Sequence, residues 1–227
     1  MNRAILVKPR VKICCIESSA EAEIAINAGA SALGLVSEMP SGPGVITEDE
    51  IADIVRHTPP GVATFLLTSK KTATEIIRQL RHTGANTVQL TDYVPHSVYA
   101  ELREALPNVK IVQVIHVLEQ ETLLEAQKIA PFVDALLLDS GNPNLSVKVL
   151  GGTGVRHDWS LSRQIVMNAK VPAFLAGGLR PENVGEAVQT VKPYGLDLCT
   201  GVRTEGKLDL RKLSAFFTAL EVNLDLL

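Results

Sequence analysis

One unit repeats along this chain: a short apolar run, a loop, then an amphipathic stretch, about eight times between Val11 and Leu220. The apolar runs are Val11 to Cys15, Ser31 to Val36, Gly61 to Leu67, Asn86 to Leu90, Val109 to Ile115, Asp134 to Asp139, Val171 to Ala176 and Gly195 to Cys199. The stretches between and after them predict helices over Ser19 to Gly29, from Thr47, over Thr72 to Arg81, Pro95 to Ala105, Glu119 to Ala130, from Trp159, over Pro181 to Val191 and over Asp209 to Leu220. Thr47 with Glu50 reads as a capping box and Pro181 as a first-turn proline. Strands alternating with helices require a parallel sheet. Runs such as Leu136-Leu137-Leu138 are apolar throughout, as strands covered on both faces should be. Eight such units predict an α/β fold, the (β/α)8 TIM barrel with a parallel eight-stranded barrel. An open Rossmann-like sheet is the runner-up, but no GxGxxG follows the first run. The 227 residues sit near the typical length of about 250 for such a barrel. Residues 11–227 are expected to form one barrel domain, and residues 1–10 an N-terminal extension.

Composition narrows the function classes. Hydrophobic residues make up 46% and aromatics 4%, so the core is aliphatic. The net charge of −3, with no Lys/Arg run, argues against nucleic acid as a partner. No apolar run reaches the roughly 18 residues of a membrane span, and the N-terminus lacks the pattern of a signal peptide. Three cysteines without a CxxC fit a reduced, cytoplasmic protein better than a disulfide or zinc framework. Strand alternation would send Cys14 and Cys15 to opposite faces. No second histidine stands at metal-ligand spacing from His157, so no metal is expected.

In a parallel barrel the working residues lie at the C-terminal ends of strands. Cys14 closes the first run and Asp139 the sixth. A thiol and a desolvated carboxyl at such ends can act as base and acid over one substrate. The plainer readings are a small buried hydrophobe and a structural aspartate bonded to loop amides. Gly177-Gly178 and Thr200-Gly201 follow the seventh and eighth runs, where barrels commonly bind phosphate. Gly152 and Gly154 stand in a long glycine-rich loop after the sixth run, which reads as ligand-enclosing or as a plain connector. Asp197 lies between two leucines and must turn into the barrel, to meet substrate or to join a buried polar network. Asp158 reads as a helix N-cap and Trp159 as packing, while Glu182 and Asn183 read as helix-face residues.

With these residues assembled, the chain resembles the phosphoribosylanthranilate isomerases over about Val11 to Leu220. The likeness rests on Lys12-Ile13-Cys14, Gln89-Leu90, Leu138-Asp139, Gly151-Gly152-Thr153-Gly154 with Asp158-Trp159, Gly177-Gly178-Leu179 with Pro181-Glu182-Asn183-Val184, and Asp197 with Thr200-Gly201-Val202. The resemblance implies a cofactor-free Amadori rearrangement in tryptophan biosynthesis, with Cys14 as general base and Asp139 as general acid. It implies phosphate binding around Gly178 and Gly201, a small phosphorylated substrate as the only partner, and a monomer or homodimer. Four positions depart from the family pattern. Cys15 stands where glycine is usual, the Ser41 to Ile46 loop carries no basic residue, Thr91 replaces a histidine, and Arg203 replaces an acid. Arg203 or Arg180 is therefore the candidate for the substrate carboxylate. A related isomerase of another phosphosugar amine, a non-catalytic phosphometabolite-binding barrel, and a magnesium-dependent phosphate-barrel transferase or lyase are the alternatives.

Overall fold

The computed structural model describes residues 8–141, 154 and 156–225, with side chains through residue 222. Eight parallel strands close into a barrel in sequence order. They are β1 (Arg10–Ile13), β2 (Ala32–Val36), β3 (Ala63–Thr68), β4 (Thr87–Leu90), β5 (Lys110–His116), β6 (Ala135–Asp139), β7 (Ala173–Leu175) and β8 (Gly195–Leu198). The helices that follow are α1 (Ser19–Asn27), α2 (Glu48–His57), α3 (Ala73–Thr83), α4 (His96–Ala105), α5 (Thr122–Ile129), α6 (Trp159–Asn168), α7 (Val184–Val191) and α8 (Leu210–Asp225). The predicted TIM barrel is the observed fold, and the open-sheet alternative is excluded by the β1–β8 pairing.

Strand alternation divides the apolar residues into two cores. Ile13, Leu33, Leu66, Val88, Leu136 and Leu196 point outward and pack under the helices. Ala32, Val36, Phe65, Val112, Leu137 and Phe174 point inward and fill the barrel. The helix ends follow their local chemistry. Thr47 and Glu50 form the expected capping box, and the Asp158 carboxylate accepts from the Ser160 and Leu161 amides at the start of α6. Trp159 is buried beneath the Arg156 guanidinium, which stacks 3.6 Å from its ring centroid.

Two expectations are corrected. The helix after β7 starts at Val184 rather than Pro181, because the Asn183 side chain folds back. Its Oδ1 accepts from the Arg180 amide and its Nδ2 donates to the Gly178 carbonyl, so Asn183 braces the glycine loop instead of lying on a helix face. After β8, a short antiparallel ladder of β9 (Arg203–Thr204) and β10 (Lys207–Leu208) precedes α8. Its turn uses Glu205 and Gly206, both at positive φ.

Candidate active site

Register brings the first polar pair together. β1 runs beside β8 with Lys12 opposite Asp197, both inward. The Lys12 ammonium donates to Asp197 Oδ1 at 2.7 Å, with the lysine fully buried. Burial alone would discharge the ammonium, but Asp197 and the neighbouring Cys14 more than offset it and raise its pKa. The Phe65 ring lies 5.4 Å beneath the cation. The cross-strand neighbour leaves the room: a Cβ at Gly34 would stand 2.7 Å from Cys14 Sγ and 2.9 Å from Lys12 Nζ. Asp197 thus joins a buried network and also reaches the open cleft.

Cys14 follows two residues after Lys12 and shares its face. The cleft above it is lined by Cys14, Cys15, Asp139, Asp197, Gln89 and the loops after β7 and β8. The Cys14 pKa lies below the ordinary thiol value. A hydrogen bond from Cys15 lowers it most, burial pushes it back up, and the Lys12 ammonium lowers it again. Asp139, at the end of β6, is buried and its pKa is raised to about 6. Desolvation is the dominant cause, partly opposed by the Ser140 amide, which donates to Oδ1 at 2.7 Å. One group is shifted toward a base and the other toward an acid, over the same cleft.

The expectation that Cys14 and Cys15 face apart is corrected. β1 ends at Ile13, and Cys15 takes a left-handed backbone with φ 62°. That rotation returns its side chain to the barrel interior, where its thiol lies against Cys14 and 2.7 Å from Cys199 Sγ. A left-handed position is one that glycine fills at least cost, which accounts physically for glycine as the usual residue here.

The side of the cleft formed by the loops after β7 and β8 is built from backbone. Gly177, Gly178, Thr200, Gly201 and Gly154 all line the cleft. Gly152 lies outside the described residues. A Cβ on Gly201 would meet the Leu179 carbonyl oxygen at 1.9 Å, so the two loops touch main chain to main chain. His157 packs at the foot of the Gly177 turn, its Nε2 bonded to Ser162 Oγ at 2.7 Å. Burial lowers its pKa to about 4, so it is neutral.

Neither arginine expected at the substrate carboxylate lines the cleft. Arg203 is buried and drawn to α1: its guanidinium pairs with Glu21 at 2.9 Å and donates to the Cys15 and Gly206 carbonyls. Arg180 is exposed, 3.7 Å from Glu182. Among the described lining residues there is no lysine or arginine. Gln89, which the sequence reading used only as a likeness, is a missed cleft residue. Its buried Oε1 has no hydrogen-bond partner among the described residues. Its place two residues after inward Thr87 on β4 is the signal that would have found it.

A closed parallel barrel, with a thiol and a carboxyl over one cleft and glycine loops after its last two strands, has the parts for proton transfer on a phosphorylated substrate. A family model described as N-(5'-phosphoribosyl)anthranilate (PRA) isomerase matches residues 11–219, and the chain belongs to that family. An N-(5'-phosphoribosyl)anthranilate isomerase from Methanocella arvoryzae is 33% identical over 214 residues, covering 94% of this chain and 98% of that protein. The solved phosphoribosyl anthranilate isomerase from Thermotoga maritima superposes with a TM-score of 0.80 at 26% identity, covering 94% of this chain and 99% of that one. A further solved isomerase, in complex with reduced 1-(o-carboxyphenylamino)-1-deoxyribulose 5-phosphate, gives a TM-score of 0.78 at 25% identity, covering 94% and 99%. Among the described residues no helix is long and apolar enough to cross a membrane.

Proposed function

We propose that this isomerase converts N-(5-phosphoribosyl)anthranilate to 1-(o-carboxyphenylamino)-1-deoxyribulose 5-phosphate, in tryptophan biosynthesis, with Cys14 and Asp139 as the proton-transfer pair. The observation that carries it is one cleft holding a lowered thiol, a raised carboxyl and paired glycine loops. The loops after β7 and β8 hold the phosphate through backbone amides, which fixes the ribose over the pair. Asp139, with a pKa about 6, gives its proton to the furanose ring oxygen. The C1′–O bond breaks as the nitrogen lone pair forms the Schiff base. The Cys14 thiolate then takes the proton from C2′, and the electrons of that bond neutralise the iminium as an enolamine. Tautomerisation adds a proton at C1′ and removes the enol proton, leaving the ketone with no atom gained or lost overall. The enzyme works on its small substrate as a monomer or homodimer in the cytoplasm, without metal or cofactor.

Turnover is followed by the loss of anthranilate-type fluorescence. Wild type and, more slowly near neutral pH, Cys15→Ala are expected to convert the substrate, whereas Cys14→Ala and Asp139→Asn are expected to lose most of the activity. Failure of the wild type, beside a relative that turns over in the same cuvette, would sink the reading.

A further inference from the structure

The third cysteine has no part in the reaction above, yet it is not isolated. The β1–β8 ladder ends at Ile13 opposite Leu198, so Cys14 and Cys199 come next on neighbouring strands. The left-handed turn at Cys15 swings its side chain across to Cys199, and the two sulfurs lie 2.7 Å apart, both as free thiols. A disulfide bond needs about 2.05 Å, so closing it asks for less than an ångström of movement. Both residues line the cleft, and Cys199 is the less buried of the two. Gly44 of the loop after β2 packs directly on Cys15, where a Cβ would come within 2.5 Å of the Cys15 Cβ. The Arg203 guanidinium holds the Cys15 carbonyl from the other side. The pair is therefore held in place rather than brushing past.

We propose that Cys15 and Cys199 are a redox modification site, which forms an intrachain disulfide across the mouth of the cleft by exchange with a small disulfide. The Cys199 thiolate attacks one sulfur of the small disulfide, and one thiolate leaves. Cys15 attacks Cys199 Sγ, and the second small thiolate leaves and takes up the proton that Cys15 gives up. Two protein thiols are oxidised and one small disulfide is reduced to two thiols; a dithiol reductant reverses the exchange. The bond removes the S–H that Cys15 directs at Cys14, and a hydrogen bond to a charged group is the kind whose loss is felt most. Turnover of the oxidised protein is expected to fall near neutral pH and to recover as pH rises. This consequence rests on Cys14 as the base; the disulfide itself does not.

The test incubates the native, full chain with oxidised glutathione and maps peptides without reduction. The expected product is a linked Cys15–Cys199 peptide that disappears on treatment with dithiothreitol, in wild type and in Cys14→Ser alike. The ratio of oxidised to reduced turnover should drop in wild type, recover with dithiothreitol, and stay near one in Cys199→Ala and in Cys15→Gly. A map without that linked peptide, or one joining Cys14 instead, overturns the site. An equal loss of turnover in Cys199→Ala overturns the control of activity while leaving the peptide map to judge the bond.

Discussion

The two rims of the cleft are built from different materials. On the β7–β8 side the parts are main chain: Gly177 and Gly178 at positive φ, Asn183 bracing their loop, and Gly201 against the Leu179 carbonyl. On the β1–β2 side the parts are side chains: Lys12, Cys14, Cys15 and, behind them, Arg203. A backbone site tolerates no added atom, whereas a side-chain site can exchange members if their partners change with them. Three of the four departures from the family pattern fall on the side-chain rim or just behind it. Two of them touch, since Arg203 donates to the carbonyl of Cys15, the residue in the strained conformation. Tightness on one side and substitution on the other follow from what each side is made of.

The largest effects should separate the proton-transfer pair from both rims. Cys14→Ala and Asp139→Asn are each expected to lower kcat by about 10²–10⁴, the usual range for losing a positioned acid or base. Asp139→Asn should at the same time stabilise the fold at neutral pH. A carboxyl raised from 3.8 to about 6 binds more protons folded than unfolded, so stability falls as pH rises between those values. About two pKa units correspond to up to about 3 kcal/mol. Denaturant melts of Asp139→Asn and wild type should therefore diverge at pH 7 and converge below pH 4. Equal stability at both would show that Asp139 is not desolvated.

The ion pair beneath Cys14 comes next. Lys12→Met leaves Asp197 buried without its cation, at a cost of about 3–5 kcal/mol. It also removes the positive charge that holds the Cys14 thiol down, so the alkaline-rising limb of kcat/KM should move upward in pH. A melt that drops while the limb stays put would reduce Lys12 to a structural part.

How legible each rim was in the sequence follows the same division. The barrel, its eight strands and the glycine loops could be read because period, turn chemistry and steric limits are local properties of the chain. Asp197 could be read as inward because a charge between two leucines has only one place to go. Cys15 could not, because alternation holds only while the strand continues, and β1 ends two residues earlier. The role of Arg203 was hidden for another reason. Its partner Glu21 is on α1, 182 residues away, and no short-range pattern links them. Asn183 was misread because an asparagine within a helix's first turn and one directly before a helix look alike in sequence until the side chain is seen to fold back.

The backbone rim should break before it bends. Gly201→Ala drives a methyl into the Leu179 carbonyl, so both loops must shift, at about 1–3 kcal/mol. For a chain of this size that is a fall in Tm of roughly 2–4 °C for each kcal/mol. Because these loops are proposed to hold the phosphate, KM should rise more than kcat falls. An unchanged KM would detach these loops from phosphate binding.

The smallest effect is the most discriminating, because it reverses the usual sign of a mutation. Cys15→Gly restores the residue that a left-handed backbone accepts best. The relief is about 1–2 kcal/mol, and the extra freedom of an unfolded glycine takes back roughly 0.5–1. A net gain of well under 2 kcal/mol in a denaturant melt is expected. Activity should move the other way. The Cys15 hydrogen bond is the largest influence lowering the Cys14 pKa, so without it the thiol ionises nearer its ordinary value. Since the base works as thiolate, kcat/KM should fall at pH 7 and recover as pH rises. Stability up and low-pH activity down, in one substitution, would mean that Cys15 is kept for what it does to Cys14 rather than for the fold. If both rise together, the residue is a tolerated accident of the side-chain rim, and the strain at φ 62° has no return in chemistry.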